Sequence, residues 1–388
     1  MNRRQTLALL AALLPSRAWA ETWALLDQAR GQEVFFHAWG GDPKINDFIA
    51  WLGDQAAGLG ITLTHVKLAA TADAVARVRT EIAAGTTKGA VDLIWINGEN
   101  FATMKREGLL FGPFTESLPN WPRVDTQGKP ATVTDFTEPT GGYESPWAMA
   151  QLVFEQDGVN TPPRSIAALA DWAATNPGRF TYPQPPDYLG MTFLKQALYA
   201  LLPDPAVLQS PHAPGLDAAL WPFLDALHPH LWRQGRAFPK DEPALGLLLA
   251  DGETRISLAF NPGRASAEIA AGRLQDTVRT FVLEGGTIAN ASFVAIPVNA
   301  SAVQAAQVVA NLILSPLVQA RAQDPGVLGF QTVLNMAALT PEDRALFDAL
   351  PLGPATLSPL ALGPTLLEPH ASWMTAIAEA WAARYGAG

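Results

Sequence analysis

Val34-Phe35-Phe36-His37-Ala38-Trp39-Gly40-Gly41-Asp42-Pro43 runs from an apolar segment through a glycine pair into a helix start. Val34 to Ala38 has the composition of a strand covered on both faces. Gly40 and Gly41 permit a tight turn, Asp42 suits an N-cap, and Pro43 suits the first helical position. Ile45, Phe48, Ile49, Leu52, Ala56 and Leu59 then recur at helical spacing and form one apolar stripe. Ile61 to Val66 alternates as a second strand. Val75, Val78 and Ile82 mark an amphipathic helix that stops near Gly85. Val91 to Ile96 reads as a third strand, and Asn97-Gly98-Glu99-Asn100 turns into a helix ending at Gly108. Strand and helix alternating at this spacing predict an α/β fold of parallel βαβ units with right-handed crossovers.

The whole chain agrees with that start. It has 388 residues, 48% hydrophobic and 16% charged, which excludes intrinsic disorder and leaves room for two or three domains. It has no Cys, so thiol nucleophiles, thiolate metal sites and disulfide scaffolds are excluded. A net charge of −10 without a long Lys/Arg run argues against nucleic-acid binding. Arg3 and Arg4, the apolar run Thr6 to Leu14, and Ala18-Trp19-Ala20 together predict a secretory signal peptide cut after Ala20. Both the general and the twin-arginine export routes fit the Arg3-Arg4 pair. Taking Arg3, Arg4 and Arg17 away from a net −10 leaves −13 on the mature chain. No later stretch has the unbroken apolar length of a membrane span, so stable membrane insertion is not expected.

Beyond the third strand the alternation breaks at a Pro/Gly-rich stretch, 111–142, and resumes in a second unit. Tyr143 to Phe154 reads as a strand, Arg179 to Tyr182 as another, and Met191 to Leu202 as a helix. Helices are expected at Trp221 to Leu231 and Leu245 to Ala250, with a strand at Arg255 to Phe260. Asn290 to Pro297 reads as a strand returning to the first unit, followed by a helix over Val303 to Leu314. The expected division is residues 1–20 as signal peptide, 21–145 with 292–330 as lobe one, and 146–291 as lobe two. Residues 331–388 form a helical C-terminal segment of unassigned lobe. Crossings near Ser145-Pro146 and Ile288 to Ser292 are expected to act as the hinge.

Ligands in open α/β sheets sit beyond the carboxyl ends of the strands. Those ends carry Trp39, Gly40, Gly41 and Asp42, then Asn97 and Glu99, then Asn261 in the second unit. Asp42 reads equally as a helix cap, and Glu99 as a first-turn acid matched to the helix dipole. Trp147, Tyr182, Tyr188, Asp187 and Glu144 lie where a strand or loop could face a cleft, while Trp95 and Phe260 add aromatic faces nearby. Acids beside aromatic faces suit an organic cation. Backbone N–H groups at Gly40-Gly41 and Asn97-Gly98 would suit an anion instead. The bases placed nearby, Lys44, Arg264 and Lys105, are fewer than the acids. His228 and His230 read as an alternating surface pair. There is no G-x-S-x-G elbow, no phosphate-binding G-x-x-x-x-G-K-[ST] and no H-E-x-x-H, so no catalytic residue is assigned. A carboxylate pair acting as a secreted hydrolase in the cleft stays open as the alternative.

The segments FHAWGGDPKIN (36–46), VDLIWINGENF (91–101), GLLFGPF (108–114), RFTYPQPPDYLG (179–190) and NASFVAIPVNA (290–300) carry a resemblance. They resemble the periplasmic solute-binding proteins of ABC importers, in the type II two-lobed class. Within extracellular solute-binding family 1 they are most similar to the YnjB-type group, related to binders of thiamine, spermidine or iron. The resemblance spans essentially the whole mature chain. It implies a periplasmic monomer with a hinge and an interlobe ligand cleft, which captures a small solute and delivers it to a membrane permease with its ATPase. It implies no cofactor and no resident metal. Its cleft positions fall on Trp39, Gly40, Asp42, Asn97, Glu99, Trp147, Asp187, Tyr188 and Asn261. All five Tyr are isolated in sequence, unlike the adjacent tyrosines of iron binders.

Overall fold

A computed structural model describes residues 23–386; the expected signal peptide lies outside them. Fourteen helices are described: α1 Ala24–Ala29, α2 Pro43–Ala57, α3 Thr71–Ala83, α4 Glu99–Arg106, α5 Ile166–Thr175, α6 Tyr188–Leu201, α7 Leu220–Leu227, α8 Glu242–Ala250, α9 Arg264–Ala270, α10 Val303–Ile313, α11 Pro316–Gln323, α12 Pro341–Asp348, α13 Pro359–Leu362 and α14 Ala371–Tyr385. The strands are β1 Glu33–Trp39, β2 Thr62–Leu68, β3 Leu93–Ile96, a short hairpin of β4 Thr134–Asp135 and β5 Glu138–Pro139, β6 Glu144–Gln151, β7 Val153–Gln156, β8 Ile256–Ala259, β9 Arg279–Phe281, β10 Thr287–Ala295 and β11 Thr365–Leu366.

The expected βαβ start is present. β1 pairs in parallel with β2 and β3, Phe36 opposite both His65 and Leu93. Asp42 caps α2, its Oδ1 accepting from the Lys44 N–H at 2.7 Å, with Pro43 opening the helix. Ile45, Phe48, Ile49, Leu52 and Ala56 are all buried against the sheet. A fully buried Leu contributes roughly 1.5–3 kcal/mol of transfer free energy, so this stripe alone anchors α2. β10 runs antiparallel to β3 on one side and to β6 on the other, while its first residues pair in parallel with β11. That completes a six-stranded mixed sheet. A second, three-stranded antiparallel sheet has the order β8-β7-β9.

Each sheet has its own apolar core. One joins β1, β3, β6 and β10 to α2, α10 and α11. The other joins β7 and β8 to α5, α6 and α7. The chain leaves the first sheet at Leu152, between β6 and β7, and returns through 282–286. These points lie several residues from the expected crossings, because β6 and β10 stay paired from Ala295–Glu144 to Ala289–Gln151. The C-terminal segment divides between the two cores. Leu339 and Phe347 pack in the first, and Trp373, Ile377 and Trp381 in the second. Buried Lys129 fastens the 332–334 chain to the first lobe by donating to the Thr332 and Leu334 carbonyls at 2.7 and 2.9 Å. No single helix among the described residues is long and apolar enough to cross a membrane.

Two expectations change. Arg179 to Tyr182 forms no ladder: Arg179 O accepts from the N–H groups of Arg255 and Ile256, and the prolines at 183, 185 and 186 lack donors to continue. His228 is buried rather than on the surface. Its Nε2 lies 2.7 Å from the Tyr182 hydroxyl, and burial pulls the imidazole down to about 4.

Replacing Trp381 by Ala removes one of the two buried tryptophans of α14 from the second core, and its 2.9 Å N–H bond to Tyr182 Oη. Urea unfolding should register a loss of about 3–5 kcal/mol; a loss under 1 kcal/mol would mean that α14 does not bear on that core. A second test concerns the buried acids Asp135 and Glu144. Burial pushes Asp135 up to about 7 against the lowering hydrogen bond from the Gly98 N–H, and burial with the nearby Asp135 holds Glu144 well above its ordinary value. The folded chain therefore binds more protons than the unfolded one between about pH 4 and 7, and this contribution to stability is lost as pH rises through that window. D135N should flatten the decline in stability measured between pH 5 and pH 8. An unchanged decline would place the titration elsewhere.

Candidate ligand cleft

Three loops meet between the lobes: the β1–α2 turn, the β8–α9 turn and the loop after α11. They enclose a cavity of about 180 Å³ lined by Asp42, Lys44, Ile45, Asn261, Gly263, Arg264, Ala267, Pro325, Leu328, Gly329 and Phe330. Each wall follows from local sequence. Pro43 and the Asp42 cap start α2 just past β1, so the turn residues face outward from the strand end. Asn261 Oδ1 accepts from the Gly263 N–H at 2.8 Å, closing the turn after β8. Gly263 packs directly on the Gly329 backbone, an approach that a side chain at Gly263 would crowd, and Gly329 itself has a φ of +69°.

Of the residues singled out from sequence, Asp42 and Asn261 are brought together here, one from each lobe. Trp39, Gly40 and Gly41 stand beside the cavity at the end of β1. The Trp39 ring is 42% exposed and folds over Gly41. Gly40 offers no free backbone group, since its N–H donates to Leu68 and its carbonyl accepts from Asn46. That weakens the anion arrangement expected at this turn. Asn97 is half-buried at the end of β3. Glu99 is exposed in the first turn of α4, accepting from Thr103 and pairing with Arg106, the helix-dipole role rather than a cleft wall.

Trp147 stands behind the wall instead of forming it. It is 3% exposed, with the Trp95 ring centroid at 4.8 Å, Phe48 at 5.9 Å and Phe330 at 6.0 Å. Its indole N–H is buried without a hydrogen-bond partner. Phe330 is the aromatic residue that reaches the cavity. Glu144 is fully buried, both oxygens without partners, beside Asp135, which accepts from the Gly98 N–H. Tyr182 lies in the core of the second lobe between His228 and Trp381. Asp187 caps α6 through the N–H groups of Leu189 and Gly190. The Tyr188 hydroxyl donates to Glu368 and accepts from Asn290 at 2.9 Å, and Glu368 also holds Lys195. These four therefore serve the core and the junction of the lobes, not the cavity wall.

The second-lobe wall is charged. Arg264 Nη1 donates to Glu155 at 2.6 Å and its Nε lies 3.5 Å from Glu242. The structure also brings the expected bases Lys44 and Arg264 to the wall, whereas Phe330 and the Pro325–Gly329 turn were the site residues hardest to find. Pro325-Gly326 and Gly329 flag a loop, yet nothing local shows that the loop returns to the cleft. Among the described residues no group of His, Asp or Glu is arranged to hold a metal ion.

With this geometry established, similarity to known proteins is informative. The family model for bacterial extracellular solute-binding proteins matches residues 54–346. Protein YnjB of Escherichia coli K12 is 44% identical over 388 residues, spanning 97% of each chain. The spermidine/putrescine ABC transporter substrate-binding protein PotD of Streptococcus pneumoniae superposes with a TM-score of 0.61 at 13% identity, over 92% of this chain and 98% of the other. A ferric binding protein of Bordetella gives 0.58 at 16%, over 89% and 97%. The likeness to these solved structures establishes the two-lobed fold of periplasmic solute-binding proteins. The chain belongs to the bacterial extracellular solute-binding protein family.

Proposed function

We propose that this protein is the capture component of an ABC importer, closing its two lobes on a small organic cation and handing it to a permease with its ATPase. The observation that carries this reading is the cavity with Asp42 and Lys44 on one wall and Asn261 and Arg264 on the other. A solute held there touches both lobes, so its binding favours the closed arrangement. Charge supports a cation: Asp42 lies on the wall, and Glu155 and Glu242 stand behind it around Arg264, against Lys44 and Arg264. Phe330, backed by Trp147 and Trp95, offers a ring face to a cationic group. The spermidine/putrescine binder of the same fold is consistent with such a ligand. The N-terminal basic-apolar segment ending at Ala20 supports export to the periplasm. A two-carboxylate hydrolase needs a pair of carboxyls about 5–9.5 Å apart across the scissile bond. Among the described residues Asp42 is the one carboxylate on this cavity wall, which favours binding over hydrolysis.

Thermal unfolding of the mature chain should be screened against cationic, neutral and anionic solutes. A cationic solute at about a hundredfold its Kd should stabilise the fold by ~2.7 kcal/mol, and N261A should weaken its binding while leaving the unliganded melting temperature within about 2 °C. Stabilisation by oxyanions alone would reverse the ligand charge, and turnover of a bound solute would replace transport with catalysis.

A further inference from the structure

Behind Arg264 lies a second, larger cavity of about 390 Å³ between α8 and α9. Its walls include Glu242, Leu247, Ala250, Arg264, Glu268 and Leu274. Arg264 borders both this space and the interlobe cleft, so its guanidinium is the partition between them. Gly246 makes that placement possible: a side chain there would collide with Nη2. Glu155, on β7, holds the guanidinium from beneath with one oxygen, and its other oxygen is buried without a partner.

The charges around Glu242 do not balance. Arg264 of α9 faces it, together with Glu155 of β7 and Asp187 at the cap of α6. Glu268 and Arg273, further along the wall, neutralise each other through two bonds of 2.6 Å. Lys240 is exposed and pairs with Asp241. Arg264 thus serves two carboxylates, Glu155 and Glu242, while Asp187 adds a further negative charge near Glu242. Burial pushes Glu242 up to about 7 against the downward pull of Arg264, with Glu155 and Asp187 adding to the rise. Yet its side chain is still 32% exposed, open to the cavity rather than sealed in the core. The rest of the lining includes the aliphatic Leu247 and Ala250, further along α8 from Glu242, and Leu274.

We propose that this cavity is a second ligand subsite, in which Glu242 takes the ammonium end of an elongated aliphatic amine whose stem lies on Leu247, Ala250 and Leu274. The inference rests on the cationic reading above and deepens it. Arg264 then divides the ligand site into a shared interlobe part and a part belonging to the second lobe alone. When the ammonium enters, the proton on Glu242 leaves to solvent, so one positive charge replaces another at the carboxylate.

Titration calorimetry of the mature chain with α,ω-diaminoalkanes of four to eight carbons, in buffers of different ionisation enthalpy, reads both affinity and proton release. Affinity should be about tenfold or more higher at pH 8 than at pH 5.5, with close to one proton released per amine at the lower pH. E242Q should lose at least about tenfold in affinity at pH 8 together with the pH dependence. A250L, which fills the cavity and leaves Glu242 in place, should weaken the longer diamines most; unliganded melting curves verify that both variants fold. Parent-like affinity and proton release in both variants would overturn the subsite while leaving the cationic reading standing. Failure of the parent chain to bind any diamine would overturn the subsite too, whereas the cationic reading falls only if oxyanions alone stabilise the fold.

Discussion

The antiparallel pairing of β6 with β10 is the constraint on which the molecule depends. Both strands belong to the first sheet along their full length, and both continue directly into the second lobe, at Leu152 and through 282–286. The C-terminal segment joins them as a third passage, where β11 pairs with Thr287 and Ile288. A buried polar cluster fastens the three together. Glu368 of the C-terminal segment receives Lys195 and Tyr188 of α6, and Tyr188 in turn receives Asn290 of β10. Gln196 of the same helix accepts from the Ile288 N–H at 2.8 Å. Low exposure makes these bonds costly to leave unmade, so the junction is specified by polar complementarity and not by apolar packing alone.

From that junction follows the position of the cleft. With the two sheets joined along one ribbon, the β1–α2 and β8–α9 turns face each other, and the 325–330 loop closes the gap between them. The acids that sequence marks as cleft-facing are mostly engaged elsewhere, as caps, in the core, or at the junction. In the proposed reading the charge nearest a ligand comes instead from Glu155 and Glu242 around Arg264.

How much of this was legible depended on the range of the interactions. The β1–turn–α2 unit could be read residue by residue, because its apolar run, glycines, cap and proline act within ten positions. The α/β class and the two-lobed plan were legible for the same reason, and the resemblance agreed with the family found. The partners of Tyr182, Tyr188 and Trp147 were not legible. Each is decided by a residue more than forty positions away: His228 and Trp381, Glu368, and Phe330. The same holds for α14, whose composition marks a helix but not the lobe that its tryptophans enter.

The central claim is that a solute draws the lobes together across the β6–β10 ribbon. The chain has no cysteine, so spin labels can be placed at will. Labels on A50C of α2 and A270C of α9, both exposed, report the interlobe distance by pulsed electron resonance. Saturating solute should shift the distance distribution to shorter values and narrow it. A distribution unchanged by a solute that demonstrably binds would contradict capture by closure.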